Sequence, residues 1–507
     1  MTRVSNSQFR WSNFRRELQP MTRLALPIVL ANLGWMTMGI VDTMMVGRVS
    51  AAAIGAVSLG GIIFMTVGNF GGGVMFGLDT LVSQAFGAGD LQDCHHSLLS
   101  GLYLGLPLSA VLMGFLWLFT PLLGRFGINP AVLHQTVPYL HVLTWCTPPL
   151  LAYFALRSYL QAINLAKPVT FALVTANLLN ALGDWVLVYG RWGAPAMGAV
   201  GTAWSTTISR LYMAVILAGV ILYHDGRRKT GLRVINGRRM SFRHVILSAA
   251  KNLSSVRPVV KNQEKFFAAL RMTYEPSCDA VSGKRARLMP DLDRMRRLLG
   301  LGLPAATQIM VEIAVFAVAT ALIARLDSIS VAAHQIAMQM VSLTYMVPLG
   351  VGSAAAVRVG QALGRGDPVA AGRSGWTALV LGGGFMSASA LTLLLAPRAV
   401  ARVFTPDPAI IRAGASLLVV GAFFQLFDGI QVVATGALRG VGDTRTPMLC
   451  HAAMYWLIGL PLGYSLCFGK GWGARGLWVG LCLALILIGS VLLWVWRRQV
   501  RAMAQTE

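Results

Sequence analysis

The stretch LVSQAFGAGD (residues 81–90) returns as VRVGQALGRGD at residues 357–367, and that recurrence decides the fold. Sliding the chain against itself by 277 positions lays Gln84, Ala85, Gly87, Gly89 and Asp90 on Gln361, Ala362, Gly364, Gly366 and Asp367. The same shift, without a gap, lays Leu24, Leu26 and Pro27 on Leu301, Leu303 and Pro304. Looser echoes follow. YLQAINLAKP ending at Pro168 matches ALRGVGDTRTP ending at Pro447, and GAVGTAW from Gly198 matches GARGLWV from Gly473. One unit is therefore written twice. The glycines of the repeated phrase permit tight bends and mark structural turns.

What surrounds the phrase says where the unit sits. The 507 residues are 55% hydrophobic and 12% charged, half the charge of an ordinary soluble protein. The apolar residues fall into blocks long enough to cross a bilayer core, which takes about 20 residues of helix. Twelve blocks are predicted, at 24–47, 53–77, 97–120, 136–156, 169–190, 197–222, 301–325, 332–356, 375–396, 411–436, 447–467 and 474–496. The alternating ten-residue segments of a membrane β-barrel are absent. The first block is too long for a cleavable signal and has no small-residue cleavage site after it, so it is expected to stay as a helix.

A formal net charge of +24 invites a nucleic-acid reading, but the placement of the charge opposes it. Of 43 Lys and Arg, 18 lie between His224 and Leu299, and five precede the first block. Half of the remaining 20 fall in the turns after blocks four, eight and ten and in the tail. Basic residues in short loops mark the cytoplasmic side, which puts both termini there and offers anionic lipid a partner. A multi-pass protein of the inner (plasma) membrane follows, with no nucleic-acid partner. The six cysteines have no ligand spacing and imply neither a disulfide framework nor a metal cluster.

The expected fold is all-α: twelve transmembrane helices in two six-helix lobes, residues 1–223 and 300–507. Six crossings return the chain to its starting side, so the lobes share one topology and a pseudo-twofold axis along the membrane normal. Such lobes leave a cleft between them, and rocking exposes it to either side in turn. That is a transporter's architecture. The connection at 224–299 is basic and unusually long; it reads as a possible insertion, with a surface-lying helix as the other option.

Charges inside apolar blocks are functional candidates by default, because an unpaired charge in oil is costly. The first half offers Asp42, then Asn177, Asn180 and Asp184 on one face of block five, and Thr202 at the start of block six. Two carboxylates, an amide and a hydroxyl are hard oxygens suited to Na⁺, and a close carboxylate pair can instead hold a proton. Arg210 is placed nearer a cytoplasmic end. Pro27 removes one backbone hydrogen bond from the first helix and makes a bendable point; Pro304 repeats it. In the second half Glu312 and Asp428 stand in blocks seven and ten, with Gln425 and Gln431 flanking Asp428, as receivers of a cationic substrate or a second coupling ion. By the 277 offset Asp42 faces Ala319 and Glu312 faces Trp35, so the fold is duplicated but the charges are not. His334 reads as a structural hydrogen-bonding group, and Asp79 as a hydrated group near the membrane surface.

These residues resemble the multidrug and toxic compound extrusion (MATE) family. The marks are LALPIVLANLGWMTMGIVDTMMVG, GLDTLVSQAFGAGD, VAAHQI and the six-plus-six repeat. The first half is most similar to the DinF-type subgroup, and the resemblance implies a cation site of Asp42, Asn180, Asp184 and Thr202 with Pro27 as the bending proline. Glu312 and Asp428 resemble the acidic coupling residues of the NorM-type subgroup. The long middle loop departs from the family.

The resulting expectation is a monomeric, cation-coupled antiporter, driven by H⁺ or Na⁺, that exports amphiphilic and often cationic organic compounds. It needs no cofactor. No Walker sequence, HExxH or nucleophile motif points to an enzyme. A flippase for lipid-linked saccharides or other lipids shares the architecture and would want several arginines in its cleft, whereas the expected interior is richer in acids. A membrane-embedded transferase would need polar groups gathered at one face, where His95, His96 and Asp79 are scattered.

Overall fold

The computed structural model describes residues 11–232 and 291–505. Among them there is no strand, and eleven helices are long and apolar enough to cross a membrane. The first half contains α1 (Trp11–Val46), α2 (Ala51–Met75), α3 (Gly77–Gly87), α4 (Leu91–Phe119), α5 (Pro130–Thr144), α6 (Thr147–Ala162), α7 (Ala166–Tyr189) and α8 (Ala199–Leu232). The second contains α9 (Leu292–Ile323), α10 (Ser328–Gly364), α11 (Pro368–Leu395), α12 (Pro397–Arg402), α13 (Pro408–Val441), α14 (Arg445–Ala453), α15 (Leu460–Tyr464) and α16 (Ala474–Gln505).

The expected fourth span departs from its prediction. It is two shorter helices, α5 and α6, joined at Trp145 and Cys146. Pro148 and Pro149 open α6 and cannot donate to the carbonyls one turn back, so the helix cannot run through. Trp145 and Cys146 close the gap with tighter bonds, donating to the Val142 and Leu143 carbonyls at 3.1 and 2.9 Å. Farther along, α14 and α15 are joined by the π-helical turn Met454–Gly459 and followed by another, Ser465–Gly469. Pro461 lies between them, and its missing donor is one cause of such bulges.

Helix ends also overrun the apolar blocks. α1 starts 13 residues before the first block, α8 runs to Leu232, and α9 starts at Leu292. Apolar length measures the oil, whereas backbone bonding carries a helix into the headgroups and beyond. Residues 233–290, the bulk of the predicted inter-lobe loop, lie outside the described residues. Contacts divide the chain into one compact unit, Met1–Leu217 with Asp291–Glu507, and a second, Ala218–Pro290. The described part of the second is the last part of α8.

Within the first unit the repeated phrase has two tasks. Gly89 and Gly366 take left-handed φ of 79° and 72°, and Asp90 and Asp367 then cap the next helices by accepting from Asp93 and Ala370 backbone N–H. The phrase also forms the seam between the halves. A Cβ at Gly87 would overlap the Gln361 carbonyl, and one at Gly364 would overlap that of Gln84. Gln84 donates to the Gly440 carbonyl at 3.0 Å, and its repeat mate Gln361 donates to the Ala162 carbonyl at 2.7 Å. Each half thus bonds the other through equivalent positions, as a pseudo-twofold requires. Lipid tails are as apolar as leucine, so close glycine packing and hydrogen bonds, rather than exclusion of water, hold this seam. The ion pair of Glu17 on α1 with Arg358 on α10, at 2.6 Å, adds a link on the side of the N-terminus.

Candidate functional site: two polar clusters and a cavity

The first-half cluster follows from how α1 and α7 lie together. Thr170 donates to the Pro27 carbonyl at 2.7 Å and Asn177 to that of Gly34 at 3.0 Å, each across 143 residues. Tyr189 donates to the Met45 carbonyl at 2.6 Å across 144. A constant separation means two helices running parallel in fixed register. Continued, that register sets Asp184 beside Asp42, and the two carboxyls lie within hydrogen-bonding reach, with Asn180 also close to Asp42.

Thr206 on α8 donates to Asp42 Oδ2 at 3.2 Å. Ser205 donates to the Asn180 carbonyl at 2.8 Å and accepts from its Nδ2 at 3.1 Å. Thr202, one turn before Thr206, is fully buried. Asp42 Oδ1, both oxygens of Asp184, Asn180 Oδ1 and Thr202 Oγ1 are buried without a hydrogen-bond partner. Five such oxygens in oil are expensive, and the donor set fits a small cation or a shared proton. The α7 helix presents Asn177 on the same face: its Nδ2 donates to α1 and α7 carbonyls, while its Oδ1 is also buried without a hydrogen-bond partner.

The second-half acids sit differently. A cavity of about 640 Å³ is lined by both halves, and Glu312 and Asp428 are in its wall, whereas Asp42, Asn180, Asp184 and Thr202 are not. Its lining is otherwise largely aromatic and apolar, with Trp35, Phe76, Phe154, Phe316, Tyr345 and Phe424. Asp428 Oδ1 accepts from Gln431 Nε2 at 3.2 Å, and Oδ2 has no partner. Gln425 is tied elsewhere, donating to Thr344 and Ser389.

Several groups differ from expectation. Arg210 is not near a water-facing end: it is 4% exposed and its guanidinium lies 3.5 Å from the Trp35 ring centroid. Asp79 is not hydrated but buried, 3.5 Å from Arg439, which also lies over Phe76. Arg439 and Arg157 both line the cavity, and Arg157 donates to Asn32 Oδ1 at 3.0 Å. The cavity wall itself therefore carries as many arginines as acids, and the excess of acids lies behind it. Both arginines fall at the ends of apolar blocks, where composition alone reads a charge as a loop residue. His334 is structural as expected: it accepts from Trp478 through Nδ1 at 3.0 Å and faces Thr320 Oγ1 through Nε2 at 2.9 Å. Neither Pro27 nor Pro304 interrupts its helix. Among the described residues no three His, Cys, Asp or Glu gather as a metal cluster.

The model of the MatE family matches this chain twice, at residues 27–186 and 304–465. The chain belongs to the MATE family. Its members are transporters, not enzymes, and the two matched segments are the two halves of the repeat. A probable multidrug resistance protein NorM of Mesorhizobium japonicum is 33% identical over 495 residues, covering 96% of this chain and 95% of that protein. The multidrug resistance protein NorM of Burkholderia vietnamiensis is 34% identical over 478 residues, covering 93% and 92%. Among solved structures, a eukaryotic MATE transporter superposes with a TM-score of 0.75 at 19% identity, covering 97% of this chain and 99% of that one. A MOP superfamily transporter from Pyrococcus furiosus gives 0.78 at 16% identity, covering 98% and 100%. These relatives fix the MATE fold of two six-helix lobes.

Proposed function

We propose that this MATE transporter is a cation-coupled antiporter that exports amphiphilic, often cationic organic compounds by alternating access. The observation that carries the reading is the separation of the two acidic sets. Glu312 and Asp428 face the shared cavity, where an aromatic cation can be stacked and neutralised. Asp42 and Asp184 lie behind the wall, where only a small ion fits. The NorM relatives' names support the drug-export part.

In this reading the lobes are residues 1–223 and 300–507, the termini are cytoplasmic, and the seam of the repeated phrase closes the cytoplasmic side. H⁺ or Na⁺ enters from outside and is held by Asp42, Asn180, Asp184 and Thr202. A shared proton satisfies two of the five partnerless oxygens; Na⁺ with an oxygen shell addresses more of them. Binding draws α1 toward α7 and α8 and bends it at Pro27. The bonds from Thr170, Asn177 and Tyr189 to α1 must then rearrange. At about 1 kcal/mol each, they are on the scale that differential binding must supply to move a two-state equilibrium. The bend narrows the cavity and displaces the substrate. The protein works as a monomer in lipid and without a cofactor. A lipid flippase would need free cavity arginines for phosphate, but Arg439 is engaged by Asp79 and Arg157 by Asn32.

The test is efflux of a cationic dye from proteoliposomes under separate H⁺ and Na⁺ gradients, in the parent, Asp42→Asn and Glu312→Gln. Loss of gradient-driven efflux in Asp42→Asn supports first-half coupling. Parental efflux in Asp42→Asn with loss in Glu312→Gln moves coupling to the second half, and no dye efflux under either gradient overturns the export reading.

A further inference from the structure

His451 on α14 is fully buried, and the mechanism above leaves it without a task. Its Nδ1 lies 2.7 Å from the Pro447 carbonyl, and its Nε2 lies 2.7 Å from Gln431 Oε1. A carbonyl oxygen and an amide oxygen both only accept. With Gln431 in this orientation, hydrogen on both ring nitrogens, an imidazolium, satisfies Gln431 Oε1, whereas Gln308 Nε2, which can only donate to the same His451 Nε2, is satisfied by the neutral ring. The orientation of Gln431 is itself dictated by Asp428. An ionised carboxylate only accepts, so the Gln431 Nε2 end must face it, as it does at 3.2 Å. That leaves the Oε1 end to face the histidine.

The reverse orientation is equally self-consistent. A protonated Asp428 donates to Gln431 Oε1, Gln431 Nε2 donates to the Nε2 lone pair of a neutral His451, and Nδ1 still donates to Pro447. Between the two arrangements the N–H bond at His451 Nε2 is lost, an O–H bond at Asp428 is gained and the amide turns by half a rotation. The proton count and net charge of the trio do not change.

We propose that His451 is a positioning residue that holds one proton in common with the cavity acid Asp428, the amide of Gln431 following where that proton sits. This rests on the reading of Asp428 as the receiver of a cationic substrate. With the proton on His451 the cavity meets a carboxylate, and with it on Asp428 the cavity meets a neutral acid. A bound organic cation therefore draws the proton to His451. The other groups facing this trio are Gln308 Nε2, 3.4 Å from His451 Nε2, Glu312 beside Gln431, Tyr345 near both acids and the Tyr455 ring, 5.9 Å from the imidazole. The α16 helix also packs on α14, and between Arg475 and Arg497 its one titratable group is Cys482. No other base is set against Asp428 there.

The experiment is solid-state NMR of the ¹⁵N-histidine-labelled full chain in bilayers at neutral pH, with His451 assigned by the signal lost in His451→Gln. A doubly protonated ring at His451 that becomes singly protonated in Asp428→Asn is the expected result. A neutral ring in the parent, or one indifferent to Asp428→Asn, overturns the proposal; Gln431→Leu, which cuts the bridge without touching either end, gives the same readout should Asp428→Asn fail to fold. The second measurement is the pH profile of equilibrium binding of a cationic dye. Removing the cation behind Asp428 makes its carboxylate easier to protonate, so in His451→Gln the midpoint for loss of binding moves up by about one pH unit; an unmoved midpoint counts against the proposal. If the parent binds no dye while His451 is doubly protonated and answers to Asp428, the export reading fails and the shared proton stands.

Discussion

Set side by side, the first-half and second-half polar clusters show how far a duplicated fold can diverge in chemistry. The backbone repeats closely enough that Gln84 and Gln361 make equivalent bonds across the seam. The acids do not repeat. Asp42 corresponds to Ala319, which packs fully buried in the second half, and Glu312 corresponds to Trp35. Glu312 and Trp35 both line the cavity, so one pseudo-symmetric position is acidic in one lobe and aromatic in the other. A wall built this way can neutralise a cation on one side and stack it on the other. The first half hides its carboxylates behind α1, while the second half shows them to the cavity.

The comparison breaks first at Asp184. Asp184→Asn is expected to lower gradient-driven dye efflux at least about 100-fold while equilibrium dye binding falls less than about threefold, because the residue does not face the cavity. Equal loss of binding and efflux would merge the two clusters into one site. On the other side, Asp428→Asn is expected to weaken binding of a cationic dye about tenfold, or about 1.4 kcal/mol. A neutral dye of similar shape should be held as before, and titration of both dyes into the purified protein separates charge from packing.

The shared scaffold can be probed more gently. Gln361→Ala removes the seam bonds to the Ala162 carbonyl and to Asn164 and is expected to destabilise this lobe arrangement by about 1–2 kcal/mol, and Gln84→Ala, which loses its bond to the Gly440 carbonyl, by about 1 kcal/mol. Distances between spin labels on the two lobes read the shift, and equal effects would mean the Asn164 bond adds nothing to the seam. The smallest effect belongs to Asp291, which caps α9 by accepting from Asp293 and Arg294 N–H. Asp291→Ala should cost at most about 1 kcal/mol. The Arg294 backbone N–H, chiefly, holds the Asp291 carboxyl below the ordinary carboxylate range. The contribution is therefore present at neutral pH and lost as pH falls through the lowered value. Thermal unfolding of variant and parent should differ at pH 7 and converge in strong acid.

Much of this was legible before any coordinates. The blocks and the 277-residue offset place the spans, except where Pro148 and Pro149 split the fourth. Asp42, Asn180, Asp184, Glu312 and Asp428 could be picked out because charge and amide are rare in oil. Arg157 and Arg439 could not, because they stand at block ends and local composition cannot tell a loop from a cavity floor. His451 was missed for another reason. A histidine in an apolar run is ordinary, and its meaning comes from Gln431, twenty residues away on another helix.

The sequence by itself determined the number of crossings, the doubling of the unit and the short roster of buried acids, because oil tolerates few polar groups and repetition survives in order. Only the tertiary structure decided which acids face the cavity and which face each other. That depends on the parallel register of α1 with α7 and on the glycine seam between the lobes. Both are contacts between residues far apart in the chain, whose geometry no local pattern encodes.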